Sequence, residues 1–76
     1  MTSAALAGLL LRQPFQPFRI MFGDDDGVFV ERPGQVKHEP GNRIVVVTRS
    51  DGGEAIIDLD RVAVIEVSPP KKGGGK

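Results

Sequence analysis

The spacing of hydrophobic residues near the N-terminus is that of one helix face. Leucines recur at positions i, i+3 and i+4, which predicts a short helix capped by Thr2 or Ser3. Gln13-Pro14 ends it, because proline lacks the N–H group that a helix interior needs. A helix this short is marginal alone, so we expect it to dock on the rest of the fold. The residues expected in its buried stripe are Leu6, Ala7, Leu9, Leu10 and Leu11.

From Phe18 onward the hydrophobic period changes to two, which is typical of half-buried β-strands. Phe18, Ile20 and Phe22 are expected to point to one face. Segments 23–27 and 51–53 are rich in glycine and aspartate and predict hairpin loops. The predicted strands are residues 18–22, 28–32, 43–48, 54–59 and 62–67, and residues 35–39 form either a weak polar strand or a loop.

Two of these segments carry further information about the sheet. Ile44 to Val47 are four consecutive β-branched residues, so both faces of their strand are expected to be covered. Only Asp60-Arg61 separates the last two strands, which predicts a sharp bend or one turn of 3₁₀ helix.

This order of elements predicts a mostly β fold with one N-terminal α-helix. About five short strands, separated by glycine- and proline-containing turns, are typical of a small open antiparallel β-barrel. We expect residues 1–68 to form this single domain. Residues 69–76 begin with two prolines, contain lysine and glycine, and are expected to form a flexible basic tail.

Three motifs resemble those of a group of short uncharacterised bacterial proteins. The group begins with a helix and P-F-x-P-F-x-I, continues with an Asp-Gly loop, and closes with I-D-L-x-x-V/I-x-x-I-E. The matching segments here are Pro14 to Ile20, Asp26-Gly27 and Ile57 to Glu66. The resemblance covers most of residues 9–67, supports the fold prediction and implies no active site.

The element order is also similar to Sm-like and SH3-like small barrels. In the Sm family an Asp-x-x-x-Asn pair before the third strand and an Arg-Gly pair in the last turn grip a nucleotide. His38 to Asn42 keeps the first spacing with histidine in the aspartate position, and Asp58-Leu59 stands where Arg-Gly is expected. The resemblance implies a small barrel and makes RNA binding the alternative function.

Composition limits the choice of function. The net charge is zero, but residues 1–66 hold all ten acidic and only seven basic residues, so a concentrated basic face is not indicated. The chain has no cysteine, which excludes thiolate catalysis and zinc–thiolate sites. No hydrophobic run approaches a membrane span, and the N-terminus lacks the basic residue and cleavage site of a signal peptide. We expect a cytoplasmic protein that does not bind membranes.

Few side chains suggest catalysis or metal binding. Asp24 to Gly27 lack the ligand alternation and final glutamate of a calcium loop, so they are interpreted as a hairpin loop. His38 is the only histidine and has no partner for a metal site, so a surface or rim position is expected. No enzymatic activity and no cofactor are predicted.

The phenylalanines are the largest core-filling groups available, because the chain has no tryptophan or tyrosine. Phe18 and Phe22 share the inward face with Ile20, which favours a core role over base stacking. Phe29 alternates with Val28 and Val30, and is expected to face the helix or a neighbouring subunit.

These observations favour a non-enzymatic binding or assembly module that acts as a homo-oligomer through its strand edges. Residues 62–67 form a strand with only one charge, Glu66, so an exposed edge there is poorly protected from pairing. A charge placed at Val64 or Val45 is expected to break the association. If a ligand or RNA binds instead, the candidate contacts are His38, Asn42, Arg43, Arg61, Lys71 and Lys72.

Overall fold

The N-terminal helix α1 (Ser3–Leu10) is the first element of a computed structural model that describes residues 1–23 and 26–69. Thr2 is its N-cap, and the Thr2 hydroxyl oxygen accepts the Ala5 N–H at 3.1 Å. Leu6 is completely buried, whereas Leu11 is 76% exposed. The prediction that Leu11 belongs to the buried stripe is therefore wrong. Leu11 lies just beyond the helix and, at ~100° per residue, about 140° around the axis from Leu6.

The first sheet has three antiparallel strands with β1 (Phe18–Met21) in the centre. On one side it pairs with β2 (Gly27–Val30), which confirms the first predicted hairpin. On the other side it pairs with β6 (Val64–Val67), the last strand of the described chain. This pairing brings the first and last strands of the described chain together.

The second sheet is also three-stranded and antiparallel, with β4 (Ile44–Thr48) in the centre. It pairs with the short β3 (Val36–Lys37) and with β5 (Glu54–Asp58). The hairpin predicted at residues 51–53 is confirmed. Arg49 N–H donates to the Gly53 carbonyl oxygen at 2.7 Å across the turn.

Residues 1–23 and 26–69 thus form six strands in two sheets, and these residues close no barrel, in contrast to the predicted open barrel of about five strands. The additional strand is β3, within residues 35–39, where the sequence predicts either a weak strand or a loop. A 3₁₀ turn, Pro33–Gln35, separates β2 from β3 and moves the chain from the first sheet to the second. Proline and glycine favour this break because neither supports continued strand pairing.

The connection between β5 and β6 is a single 3₁₀ turn, Leu59–Arg61, as the short Asp60-Arg61 spacer predicts. The Asp58 side chain accepts the Asp60 N–H at 3.0 Å and so caps this turn. Leu59 is buried, which anchors the turn on the core.

The core lies between the inner faces of the two sheets and below α1. Phe18 is completely buried, which confirms its predicted core role, and its ring lies 6.0 Å from that of Phe15. Phe22 is only partly buried at the edge of this cluster. The fully or almost fully buried residues are Leu6, Phe18, Ile20, Val30, Val45, Val47, Ile57 and Leu59.

Strand β4 does not have both faces covered. Val45 and Val47 point into the core and are completely buried, whereas Ile44 on the opposite face is 39% exposed. The prediction of a doubly covered strand is wrong because α1 and the first sheet both pack on the same side of β4. For the same reason Val45 is unsuitable as a surface probe of association, since a charge there would enter the core.

No helix in the described part of the chain is long and apolar enough to cross a membrane. Asp24 and Asp25 of the predicted hairpin loop lie outside the described residues. Lys71 and Lys72 of the predicted basic tail lie outside them as well.

Candidate functional site

Two loops that carry candidate contact residues lie against each other. They are the β3–β4 loop, residues 38–43, and the 3₁₀ turn Leu59–Arg61. Leu59 N–H donates to the Arg43 carbonyl oxygen at 2.8 Å. The Arg43 guanidinium lies 3.6 Å from an Asp58 carboxylate oxygen and 3.7 Å from one of Asp60. The candidate arginine at this junction is therefore paired with two carboxylates of its own chain.

His38 is half-buried and takes part in a structural contact. Its Nε2 lies 2.8 Å from the Ser3 hydroxyl oxygen, and the same oxygen accepts the Gly41 N–H at 2.9 Å. Ser3 thus joins the start of α1 to the β3–β4 loop. The expectation of a surface or rim histidine did not include this partner, because residues 35 positions apart give no local signal of contact.

Asn42 shapes the loop in which it lies. Its side-chain oxygen accepts the Ile44 N–H at 3.0 Å, and its own N–H donates to the Glu39 carbonyl oxygen at 3.0 Å. Both contacts are those of an asparagine that stabilises a turn before a strand. The oxygen that a ligand would use is engaged with the backbone.

Arg61 is exposed and lines a cleft of about 470 Å³. Asp58, which is ion-paired with Arg43, also lines this cleft. Arg61 therefore lies on the same cleft as this ion pair. The cleft has charged and apolar walls, and its lining residues are Phe22, Asp26, Ile56, Ile57, Asp58 and Arg61. Among the described residues, no cluster of three or more histidine or acidic side chains could hold a metal ion.

The outer face of the second sheet carries an aliphatic patch, defined by Ile44, Val46 and Ile56. Val46 and Ile56 lie directly opposite each other on β4 and β5, and Ile44 is two residues along β4 from Val46. Ile56 is 74% exposed, Ile44 is partly exposed and Val46 is half-buried. The alternation of β4 and β5 puts all three side chains on the face that points away from the core.

The outer edge of β6 has unpaired backbone groups. Ser68 N–H donates to the Pro17 carbonyl oxygen at 2.8 Å. This hydrogen bond fixes which alternate residues of β6 direct their backbone groups towards β1. Ile65 and Val67 consequently direct their N–H and C=O groups away from β1. Within the described residues no strand pairs with that edge. Val64 is 51% exposed beside it.

The outer edge of β5 is open in the same way. Hydrogen bonds at both ends of the β4–β5 pair fix which alternate residues of β5 bond to β4. The backbone groups of Glu54, Ile56 and Asp58 therefore point away from β4. No strand among the described residues covers this edge. Ile56 therefore contributes both an exposed side chain and unpaired backbone groups.

Phe29 lies on the outer face of the first sheet, with the Arg19 guanidinium 6.0 Å from its ring centre. It is 43% exposed. Arg19 supplies an intramolecular cation–π contact that partly shields the ring.

Comparison of the chain with family models, with curated proteins and with solved structures gives no match. The run Ile56-Ile57 puts an apolar side chain on each face of β5, so an exposed aliphatic group on this strand agrees with the sequence. The polar neighbours Glu54 and Asp58, two residues away on either side, were the signal that this face of β5 points to solvent.

Proposed function

We propose that this protein is a non-enzymatic assembly module that forms a homo-oligomer through its strand edges. The observation that carries the proposal is the pair of open edges on β5 and β6, each flanked by an exposed aliphatic side chain. Backbone pairing between copies satisfies their N–H and C=O groups and removes these side chains from water in one step.

The composition of β6 supports edge pairing. Natural proteins usually protect an open edge with lysine, proline or a bulge, because an exposed flat edge recruits other strands. The sequence of β6 is Val64-Ile65-Glu66-Val67, with a single charge. The side chain of Glu66 lies directly opposite that of Arg19 on β1, a residue of opposite charge.

We propose further that the fold is a variant of the Sm-like and SH3-like small barrels. The strand order β6-β1-β2 followed by β3-β4-β5, with one 3₁₀ turn between the last two strands, supports this assignment. In this view β2 and β3 correspond to one strongly bent strand that the Pro33–Gln35 turn divides.

RNA binding of the Sm type is the second proposal. The contact between the β3–β4 loop and the Leu59–Arg61 turn supports it, because these segments hold the positions that grip a nucleotide in that family. The charges favour it less, since Arg43 is paired with Asp58 and Asp60 and would have to exchange them for phosphate.

Amide hydrogen exchange tests the assembly proposal at the edge itself. In an edge-paired oligomer, the N–H groups of Ile65 and Val67 should be protected as strongly as that of Glu66, which bonds to β1. In a monomer they should exchange much faster than that of Glu66. Fast exchange at Ile65 and Val67 at ~100 µM protein would contradict the proposal, and Glu66 is the internal control.

A further inference from the structure

The Gln35 side chain bridges β2 and β4 in the way that a strand between them would. Glu31 directly follows β2, and Thr48 is the last residue of β4. The Gln35 amide oxygen accepts the Glu31 N–H at 2.8 Å, and the amide nitrogen donates to the Thr48 carbonyl oxygen at 2.8 Å. A peptide group in a central strand makes the same two contacts, because its C=O and N–H bond to opposite neighbours. At this point β2 and β4 are therefore about two strand spacings apart, or ~9–10 Å.

Strand β3 does not fill the gap beyond Gln35. It pairs with β4 only at Val46 and Val47. The 3₁₀ turn Pro33–Gln35 connects β2 to β3, so the chain reaches β4 only at Val36. The end of β4 and the start of the β4–β5 hairpin consequently face β2 with no strand of the described chain between them.

The outer edge of β2 has unpaired backbone groups. Phe22 N–H donates to the Asp26 carbonyl oxygen at 3.2 Å, and this hydrogen bond fixes which alternate residues of β2 bond to β1. The N–H and C=O groups of Gly27 and Phe29 therefore point away from β1. No strand among the described residues pairs with this edge of β2.

A slot of about 220 Å³ lies along this edge, and we call it the β2 slot. Residues 27–29 and Glu31 form one wall, Arg49 and Ser50 form the other, and Gln35 closes one end. Consecutive residues of a strand point to opposite faces, so a cavity lined by residues 27–29 follows the edge of the strand and not one of its faces. The slot thus presents backbone groups of β2 directly to an occupant.

We propose that the β2 slot binds an extended peptide segment, which adds a strand between β2 and the β4–β5 hairpin. The unpaired groups of β2 need the N–H and C=O groups of another backbone, and the width set by Gln35 admits one strand. A strand within the sheet of another copy already has a neighbour, whereas a slot with two walls suits a segment that is free on both sides. The half-buried Val28 and the exposed Phe29 point to opposite faces, which favours a peptide with alternating apolar and polar residues.

This binding site is separate from the β5 and β6 edges and does not depend on the assembly proposal. Amide NMR of the isotope-labelled full chain tests it with the acetylated and amidated peptide Thr-Val-Thr-Val-Thr at up to ~1 mM. We expect the N–H signals of Gly27 and Phe29 to shift, and those of Ile65 and Val67 on the β6 edge to stay. The same peptide with N-methylated valines should not bind, because it lacks the N–H groups on one side of the strand. Absence of shifts at Gly27 and Phe29 would overturn the proposal.

Two substitutions of Phe29 separate backbone recognition from the effect of its ring. Phe29→Pro removes the N–H that points into the slot and keeps the hydrogen bonds to β1, and proline is found on edge strands in this orientation. Phe29→Val removes the ring and keeps the N–H. We expect Phe29→Pro to weaken peptide binding about tenfold, and Phe29→Val to stay within about twofold of the wild-type affinity. Equal affinities of the two variants would contradict recognition through the backbone.

Ser50→Trp provides a second test that leaves β2 unchanged, because it fills the slot from the opposite wall. It should also weaken peptide binding, while size exclusion with light scattering gives the wild-type mass. Circular dichroism establishes that each variant is folded. If Phe29→Pro and Ser50→Trp lower the mass instead, a second copy occupies the slot and the peptide proposal is wrong. If the wild-type chain has the mass of one ~8 kDa copy and still binds the peptide at Phe29, the assembly proposal is wrong and the slot stands.

Discussion

The Ser3 hydroxyl oxygen and His38 Nε2 lie 2.8 Å apart, and this contact fastens the first residue of α1 to the β3–β4 loop. The Gly41 N–H donates to the same oxygen. The Ser3 side chain thus contacts the β3–β4 loop at both His38 and Gly41. This loop lies beside the 3₁₀ turn that precedes β6.

Replacing Ser3 with alanine removes both contacts. We expect Ser3→Ala to lower the free energy of unfolding by about 1–2 kcal/mol, because two hydrogen bonds, one part-buried and one exposed, are lost together. Urea denaturation followed by circular dichroism measures the change. Ser50→Ala, in the exposed β4–β5 loop, is the control and should be nearly neutral. Equal stability of the two variants would show that the contact contributes nothing.

Gln35 is expected to be a second structural side chain. Its oxygen accepts the N–H groups of Glu31 and Arg32 at 2.8 and 2.9 Å, and its nitrogen donates to the Thr48 carbonyl oxygen at 2.8 Å. Gln35→Ala should therefore destabilise the fold by about 1–3 kcal/mol. Gln35→Glu keeps the two acceptor contacts but turns a carboxylate oxygen towards the Thr48 carbonyl oxygen, so it should also be destabilised in the same urea experiment. Wild-type stability of both variants would contradict this account.

Phe18→Ala should destabilise the domain by about 3–5 kcal/mol, because it removes the largest fully buried side chain of a thin core. Thermal and urea unfolding measure this loss. Phe29→Ala is the matched control, since Phe29 is nearly half exposed and its removal should cost much less. Similar losses for the two variants would show that Phe29, and not only Phe18, supports the core.

How far the sequence determines this structure depends on the range of each interaction. The helix, the hairpins and the final 3₁₀ turn were predictable because capping, period-two alternation and glycine-rich turns act over a few residues. The buried state of Phe18 followed from the same alternation. Local periodicity does not specify which strands pair, so the division into two sheets at Pro33–Gln35 was missed.

Contacts between distant residues account for most of the remaining errors. The Ser3–His38 contact and the ion pairs of Arg43 depend on how loops meet after folding, and no local pattern reports them. Leu11 and Ile44 are apolar, yet both are exposed because the elements that could cover them pack elsewhere. Hydrophobic residues are often found at the surface, so composition alone does not identify the covered face.

Nucleic-acid binding is expected to be weak and sensitive to salt. Residues 1–69 hold seven basic and ten acidic side chains, which gives this part of the chain a net charge of −3. Fluorescence anisotropy with a labelled single-stranded RNA should show binding that disappears between ~50 and 200 mM salt. Arg43→Gln should leave it unchanged, because Arg43 is already paired. Submicromolar binding that persists at 200 mM salt and is lost in Arg43→Gln would favour the RNA function.

Self-association is the central claim, and the mass of the chain in solution tests it most directly. Size exclusion with light scattering at ~10–100 µM should give a discrete multiple of the ~8 kDa chain. Val64→Lys, which places a charge beside the open edge of β6, should reduce that mass, whereas Leu11→Lys, just beyond α1, should not. A wild-type mass of one chain across this range, equal to that of Val64→Lys, would contradict the account.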